Sequence, residues 1–207
     1  MKPPILAVLL SLLCSVPSAA QDWRTSGEDP CACTDSMPFI IGPRPPVSTP
    51  AQIAQMVRDS RSDSCRVSRL AVETLSNAQD VSATTALVEA LRSNACAIRA
   101  SAAYSLVQHQ HPAIAPALLP LLSDADRRVR QAAAFAWGRH PDKAGLPLVV
   151  LLLTDPSKHV RQAAVASLGR AGDASVRQAV SALLADPEPH VRDAAREALS
   201  RLPLSRH

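Results

Sequence analysis

Hydrophobic positions recur along this chain with a fixed period of 31 residues. Val67, Ile98, Val129, Val160 and Val191 mark the register without one insertion. Four residues further on stands an alanine every time: Ala71, Ala102, Ala133, Ala164 and Ala195. Eight residues further on stands a large apolar side chain: Leu75, Leu106, Trp137, Leu168 and Leu199. A second set follows, with Leu87 and Leu91, Leu118 and Leu122, Val149 and Leu153, and Val180 and Leu184. Members of both sets lie four apart, which puts them on one face of a helix. Each period therefore predicts two amphipathic helices. Self-similarity at such a period predicts a stack, because one helix pair cannot bury its apolar face alone.

Polar and special residues punctuate the pattern. Asp155-Pro156 and Asp186-Pro187 read as an N-cap aspartate before a proline at the first helical position, and Asp124 holds the same place one unit earlier. Gly138 and Gly169 read as caps closing the first helix of their units, where a left-handed conformation is cheap for glycine. Pro116 and Pro147 belong in the first turn of a second helix, whereas Pro120 lies inside one and should kink or shorten it. Thr49-Pro50 followed by Ile53, Met56 and Val57 predicts a lone second helix, a half-repeat cap over 49–62. Units start near 67, 98, 129 and 160, and a final unpaired helix runs near 188–202 before a short tail at 203–207. The recurrent alanine fits helices packed at the close end of about 8–10 Å.

The amino-terminal part carries a different pattern. Met1-Lys2, an apolar run from Ile5 to Val16 and the small residues Ser18-Ala19-Ala20 predict a signal peptide over 1–20, cut after Ala20. Leu13 stands where a lipoprotein motif wants a small residue, which argues against lipidation at Cys14. Residues 21–48 hold Pro30, Pro38, Pro43, Pro45 and Pro46 and predict an extended arm with an apolar island, Phe39-Ile40-Ile41. No later stretch is long and apolar enough to span a bilayer. The expected location is periplasmic or secreted.

Composition narrows the function classes. Hydrophobic residues make up 47% but aromatic residues only 2%, so the core is built of alanine and aliphatic side chains. That favours close-packed helices over sandwiches and barrels, and it removes the aromatic platforms of single-strand binding. The net charge of +4 comes with no run of like charges, so nucleic acid is not an expected partner.

The unit resembles the HEAT-like repeat, in particular the short PBS-lyase type. Asp186-Pro187 to Val191-Arg192-Asp193-Ala194-Ala195 with Leu199, and Val160-Arg161-Gln162-Ala163-Ala164 with Leu168-Gly169, carry the likeness. It covers 98–202 well and 67–97 less well, where Ser68 replaces the arginine and Leu70 the first alanine. The resemblance implies an all-α, right-handed α-solenoid. It also implies that Asp124, Asp155 and Asp186, with Arg99, Arg130, Arg161 and Arg192, form a structural ladder along the inter-repeat turns. A second row, Arg139, Arg170 and Arg201, ends the first helices and is a candidate contact row for an acidic partner. Some relatives imply bilin attachment to phycobiliproteins. The HEAT-like di-iron hydroxylases use His-Glu pairs, and no such dipeptide occurs here.

Catalytic and metal signals are otherwise weak. His109 matches His140 and His159 matches His190 one unit apart, too far for two ligands on one zinc, so no metal or cofactor is expected. No Gly-x-Ser-x-Gly or phosphate loop is present. Four cysteines follow the signal: Cys31, Cys33, Cys65 and Cys96. Cys65 and Cys96 hold one position in successive units, wider apart than the roughly 4.4–6.8 Å between Cα atoms of a disulfide. The expected pairing bonds each of Cys31 and Cys33 to one of Cys65 and Cys96. The expected function is a non-enzymatic exported scaffold for a protein partner. A lyase-type enzyme or accessory is one alternative, and an envelope element self-associating through its open C-terminal end is the other.

Overall fold

The computed structural model describes residues 49–78 and 80–203. The signal segment, the Pro-rich arm with Cys31, Cys33 and Phe39-Ile40-Ile41, and residues 204–207 lie outside the described residues. Ten α-helices follow one another in two alternating sets, with no strand among the described residues. The first helices of the units are α2 (Cys65–Leu75), α4 (Cys96–Ser105), α6 (Arg127–Trp137), α8 (Lys158–Ala171) and α10 (Pro189–Arg201). The second helices are α1 (Pro50–Asp59), α3 (Val81–Ala90), α5 (Ile114–Leu118), α7 (Leu146–Leu151) and α9 (Arg177–Ala182). Each first helix packs on the next one along the chain, which makes the molecule an all-α solenoid.

Burial follows the 31-residue register. Ala102, Ala133, Ala164 and Ala195 are fully covered, and Leu75, Leu106, Trp137 and Leu168 fill the layers between helices. The register breaks at the ends. Val67 and Leu70 are exposed in the first unit, and at the last second helix Leu183 turns inward while Leu184 stays out. Pro120 lies near the start of a 3₁₀ segment, Leu119–Ser123, that follows the five-residue α5. The 3₁₀ finish recurs without proline at Leu152–Thr154 and Leu183–Ala185, so it belongs to the repeat.

The expected caps require correction. Asp155 and Asp186 are not N-caps: Ser157 and Glu188 are, and α8 and α10 start at Lys158 and Pro189. Each aspartate instead turns the chain two residues earlier, its Oδ1 accepting from the Ser157 or Glu188 amide. In the preceding unit Asp126, not Asp124, caps its helix, α6. The glycines serve packing. Gly138 does close α6 as its C-cap, but with a right-handed backbone, and Gly169 lies within α8, whose left-handed cap is Gly172 at φ 71°. A Cβ on Gly138 would come 2.6 Å from Ser167 Oγ, and one on Gly169 2.7 Å from Ala198 Cα. Both glycines let successive first helices approach closely, and Ser167 Oγ donates to Ala134 O across one such contact.

The last helix wears a polar outer face. At one repeat position Val72, Ala103, Ala134 and Val165 are fully buried, whereas its final member, Arg196, is exposed. Arg196 pairs with Asp193, and Ser200 stands exposed where Gly169 is buried one unit earlier. α10 thus ends the stack as a capping helix, in keeping with the polar outer face that terminal repeats need.

Candidate functional site

Three guanidiniums are built identically into the turns between units. Arg99 grips the Asp124 carboxylate with Nε at 2.8 Å and Nη2 at 2.9 Å. Arg130 holds Asp155 at 2.7 and 3.1 Å, and Arg161 holds Asp186 at 2.8 and 3.0 Å. The third nitrogen, Nη1, donates to two main-chain carbonyls of its own entry turn, as with Asp124 O and Ala125 O for Arg130. Each arginine therefore staples its own turn to the next. The aspartate six residues before an arginine gives it a carbonyl, while its carboxylate serves the arginine of the preceding unit. These charge-assisted forks are the strong form of the interaction. Asp155 and Asp186 are buried, and Arg161 holds the Asp186 carboxyl below the usual range while Asp186 raises the guanidinium. Arg192 keeps the carbonyl contacts, to Asp186 O and Pro187 O, without a carboxylate among the described residues.

The histidines have structural work as well. His109 Nε2 donates to Leu75 O at 3.2 Å and His140 Nε2 to Leu106 O at 3.0 Å, each binding a carbonyl at the end of the preceding first helix. Thr84 Oγ1 lies 2.8 Å from His109 Nδ1. Burial holds both imidazoles below the usual histidine range, in the neutral form that this arrangement uses. At the last unit Arg177 makes a link in the other direction, donating to Leu199 O and Leu202 O at the end of the following first helix. Among the described residues no group of three His, Cys, Asp or Glu side chains could hold a metal ion.

The second arginine row differs from the first. Arg170 lies on the Phe135 ring, 5.0 Å from its centroid, and Phe135 meets Tyr104 at 5.8 Å. Burial, then the neighbouring Arg139 and Arg201, push the Arg170 guanidinium below its ordinary value. Arg201 pairs with Glu197 at 2.6 Å, and Arg139 is exposed at the end of α6. The structure thus gathers Arg139, Arg170 and Arg201 along one edge. It adds the ring contact, which sequence spacing does not signal because Phe135 and Arg170 sit in different units. Cys65 and Cys96 open α2 and α4, and neither is free, while Cys31 and Cys33 lie outside the described residues.

HEAT-repeat family models match residues 50–138 and 115–200, well over half of the chain. The chain belongs to the HEAT repeat family. No curated protein matches it. Among solved structures, this HEAT array resembles the CpcE–CpcF complex of phycocyanin lyase from Nostoc sp. PCC7120. The TM-score is 0.68 at 22% identity, over 83% of this chain and 70% of that one. It also resembles a designed armadillo repeat protein in complex with the peptide (KR)4, with a TM-score of 0.59 at 18% identity over 74% and 86% of the two chains. A third neighbour is human deoxyhypusine hydroxylase, with a TM-score of 0.53 at 25% identity, where 72% of this chain covers 52% of that one. No helix among the described residues is long and apolar enough to cross a membrane.

Proposed function

We propose that this HEAT array is an exported, non-enzymatic scaffold that holds another protein on the surface of its stack. The observation that carries this reading is where the polar chemistry goes. Arg99, Arg130 and Arg161 with their aspartates, His109 and His140 are all engaged in joining one repeat to the next. What faces outward is contact surface, including Leu151, Leu184 and the Arg139–Arg170–Arg201 edge. Repeat stacks use such extended surfaces for partners. Crosslinking the protein in its own envelope fraction should trap a specific protein adduct. An absence of any adduct would contradict the scaffold.

The export reading rests on Met1-Lys2, the apolar run and Ser18-Ala19-Ala20. Amino-terminal sequencing of the mature chain should begin at Gln21. The disulfide reading rests on Cys65 and Cys96, neither of them free, at the entries of adjacent first helices. A non-reducing peptide map should join each to Cys31 or Cys33, and a Cys65–Cys96 peptide would overturn it.

The likeness to the phycocyanin lyase subunits favours one second reading, a lyase or lyase accessory. Purified protein mixed with a bilin should then acquire a stable visible absorbance, which the scaffold reading does not expect. Self-association through the C-terminal end draws no support from the polar face of α10. Light scattering at high concentration should report a monomer.

A further inference from the structure

The ladder and the outer arginine row share a period, but in the ladder Arg99, Arg130 and Arg161 each grip a carboxylate of the next turn, and Arg139 and Arg170 of the row grip none among the described residues. Arg170 Nε is buried with no hydrogen-bond partner. Among the described residues its Nη2 reaches only Ser167 Oγ, at 3.5 Å. Arg139 makes no side-chain hydrogen bond or ion pair with the described residues. Glu197, a carboxylate beside the row, belongs to an exposed pair with Arg201, and the two side chains are 64% and 49% accessible. Pairs of that exposure hold weakly and exchange partners readily. Phe135, backed by Tyr104, supports the Arg170 guanidinium from one side and fixes its plane. A half-buried cation held between two others, with no carboxylate hydrogen-bonded to it among the described residues, is a surface arranged for an incoming anion.

The spacing identifies the form of that anion. The three arginines hold one repeat position at the carboxyl ends of consecutive first helices, Arg139 just past its helix, and packed helices lie about 8–10 Å apart. A peptide in the extended polyproline II form rises about 3.1 Å per residue with about three residues per turn, so carboxylates three residues apart lie on one side of it and meet the same interval. We propose that the Arg139–Arg170–Arg201 edge docks an extended acidic segment of a partner protein, with acidic residues at every third position. This rests on the scaffold reading and names the chemistry of its partner.

The test is fluorescence anisotropy of the full mature protein with a labelled peptide, Glu-Gly-Thr-Glu-Gly-Thr-Glu. The control, Glu-Glu-Glu-Gly-Thr-Gly-Thr, has the same composition but clusters its charges. The spaced peptide should bind at least about tenfold more tightly, the scale of one charge-assisted contact. Arg139→Gln, at an exposed side chain without partners, should weaken it by about the same factor and leave the melting temperature unchanged. Arg170→Lys keeps a charge but loses the planar fork on the ring, and should bind more weakly than the parent. Equal binding of both peptides, or tighter binding of a single-stranded oligonucleotide at the same salt, would overturn the proposal. If neither peptide binds while envelope crosslinking maps a partner onto the second helices, this inference falls and the scaffold reading stands.

Discussion

The first inter-repeat turn and the three that follow solve one problem in two ways. Inside the array, a buried aspartate is gripped by an arginine that also holds two carbonyls. At the first turn Ser68 stands where the arginine should be, and its hydroxyl donates to Ser60 O at 2.5 Å. The ladder carboxylate is replaced by Ser93, and an exposed Arg61–Glu89 pair at 2.7 Å spans the gap. Side-chain exposure is 15% and 5% for Arg130 and Asp155 but 59% and 49% for Arg61 and Glu89. The same repeat therefore carries strong staples in its interior and a weak one at its amino-terminal end. Stability should be graded along the chain, because a stack adds up unit and junction contributions.

Breaking an inner staple should do the most damage. Asp155→Ala strands a partly buried guanidinium and frees the Ser157 amide, so a loss of about 2–4 kcal/mol is expected in urea unfolding. Gly169→Ala attacks the close helix contact instead. Alanine improves helix propensity by about 1 kcal/mol, but its Cβ would meet the backbone of Ala198, and overpacking costs about 1–3 kcal/mol. The balance should be destabilising by up to about 2 kcal/mol, read as a lower urea midpoint. Glu89→Ala, at the exposed first turn, should cost no more than about 1 kcal/mol.

Acidification should sharpen the contrast without any substitution. His109 and His140 are held below the unfolded value near about 6.5. Their contribution is present above that pH and lost as pH falls through the folded values. Asp186, held below about 3.9, keeps its contribution until the solution is more acidic still. Melting temperature should therefore fall in two stages on acidification, and His140→Gln should shrink the first stage only.

The sequence made the repeat visible because helical stacking leaves apolar residues at fixed intervals. Ala71 to Ala195 and Leu75 to Leu168 were readable for that reason. Partner choice across the stack was not. The six-residue spacing from Asp155 to Arg161 is plain in the chain, yet Asp155 turns its carboxylate to Arg130, 25 residues earlier. Gly138 is legible as the cap of α6 and Gly169 only resembles one, and the approach of Ser167 and Ala198 reveals the packing purpose of both. The seat of Arg170 on Phe135 joins residues from two units and has no signature in either. At the amino-terminal end, Ser68 was visible as a departure from the pattern, but its bond to Ser60 O was not.

The most direct test of the graded staples is a pair of double-mutant cycles in chemical unfolding. One uses Arg130→Ala with Asp155→Ala, and the other Arg61→Ala with Glu89→Ala. The inner pair should show a coupling energy of about 1.5 kcal/mol or more, and the outer pair about 0.5 kcal/mol or less. Equal couplings, or a near-zero value for Arg130 and Asp155, would contradict a stack held by its buried inner turns.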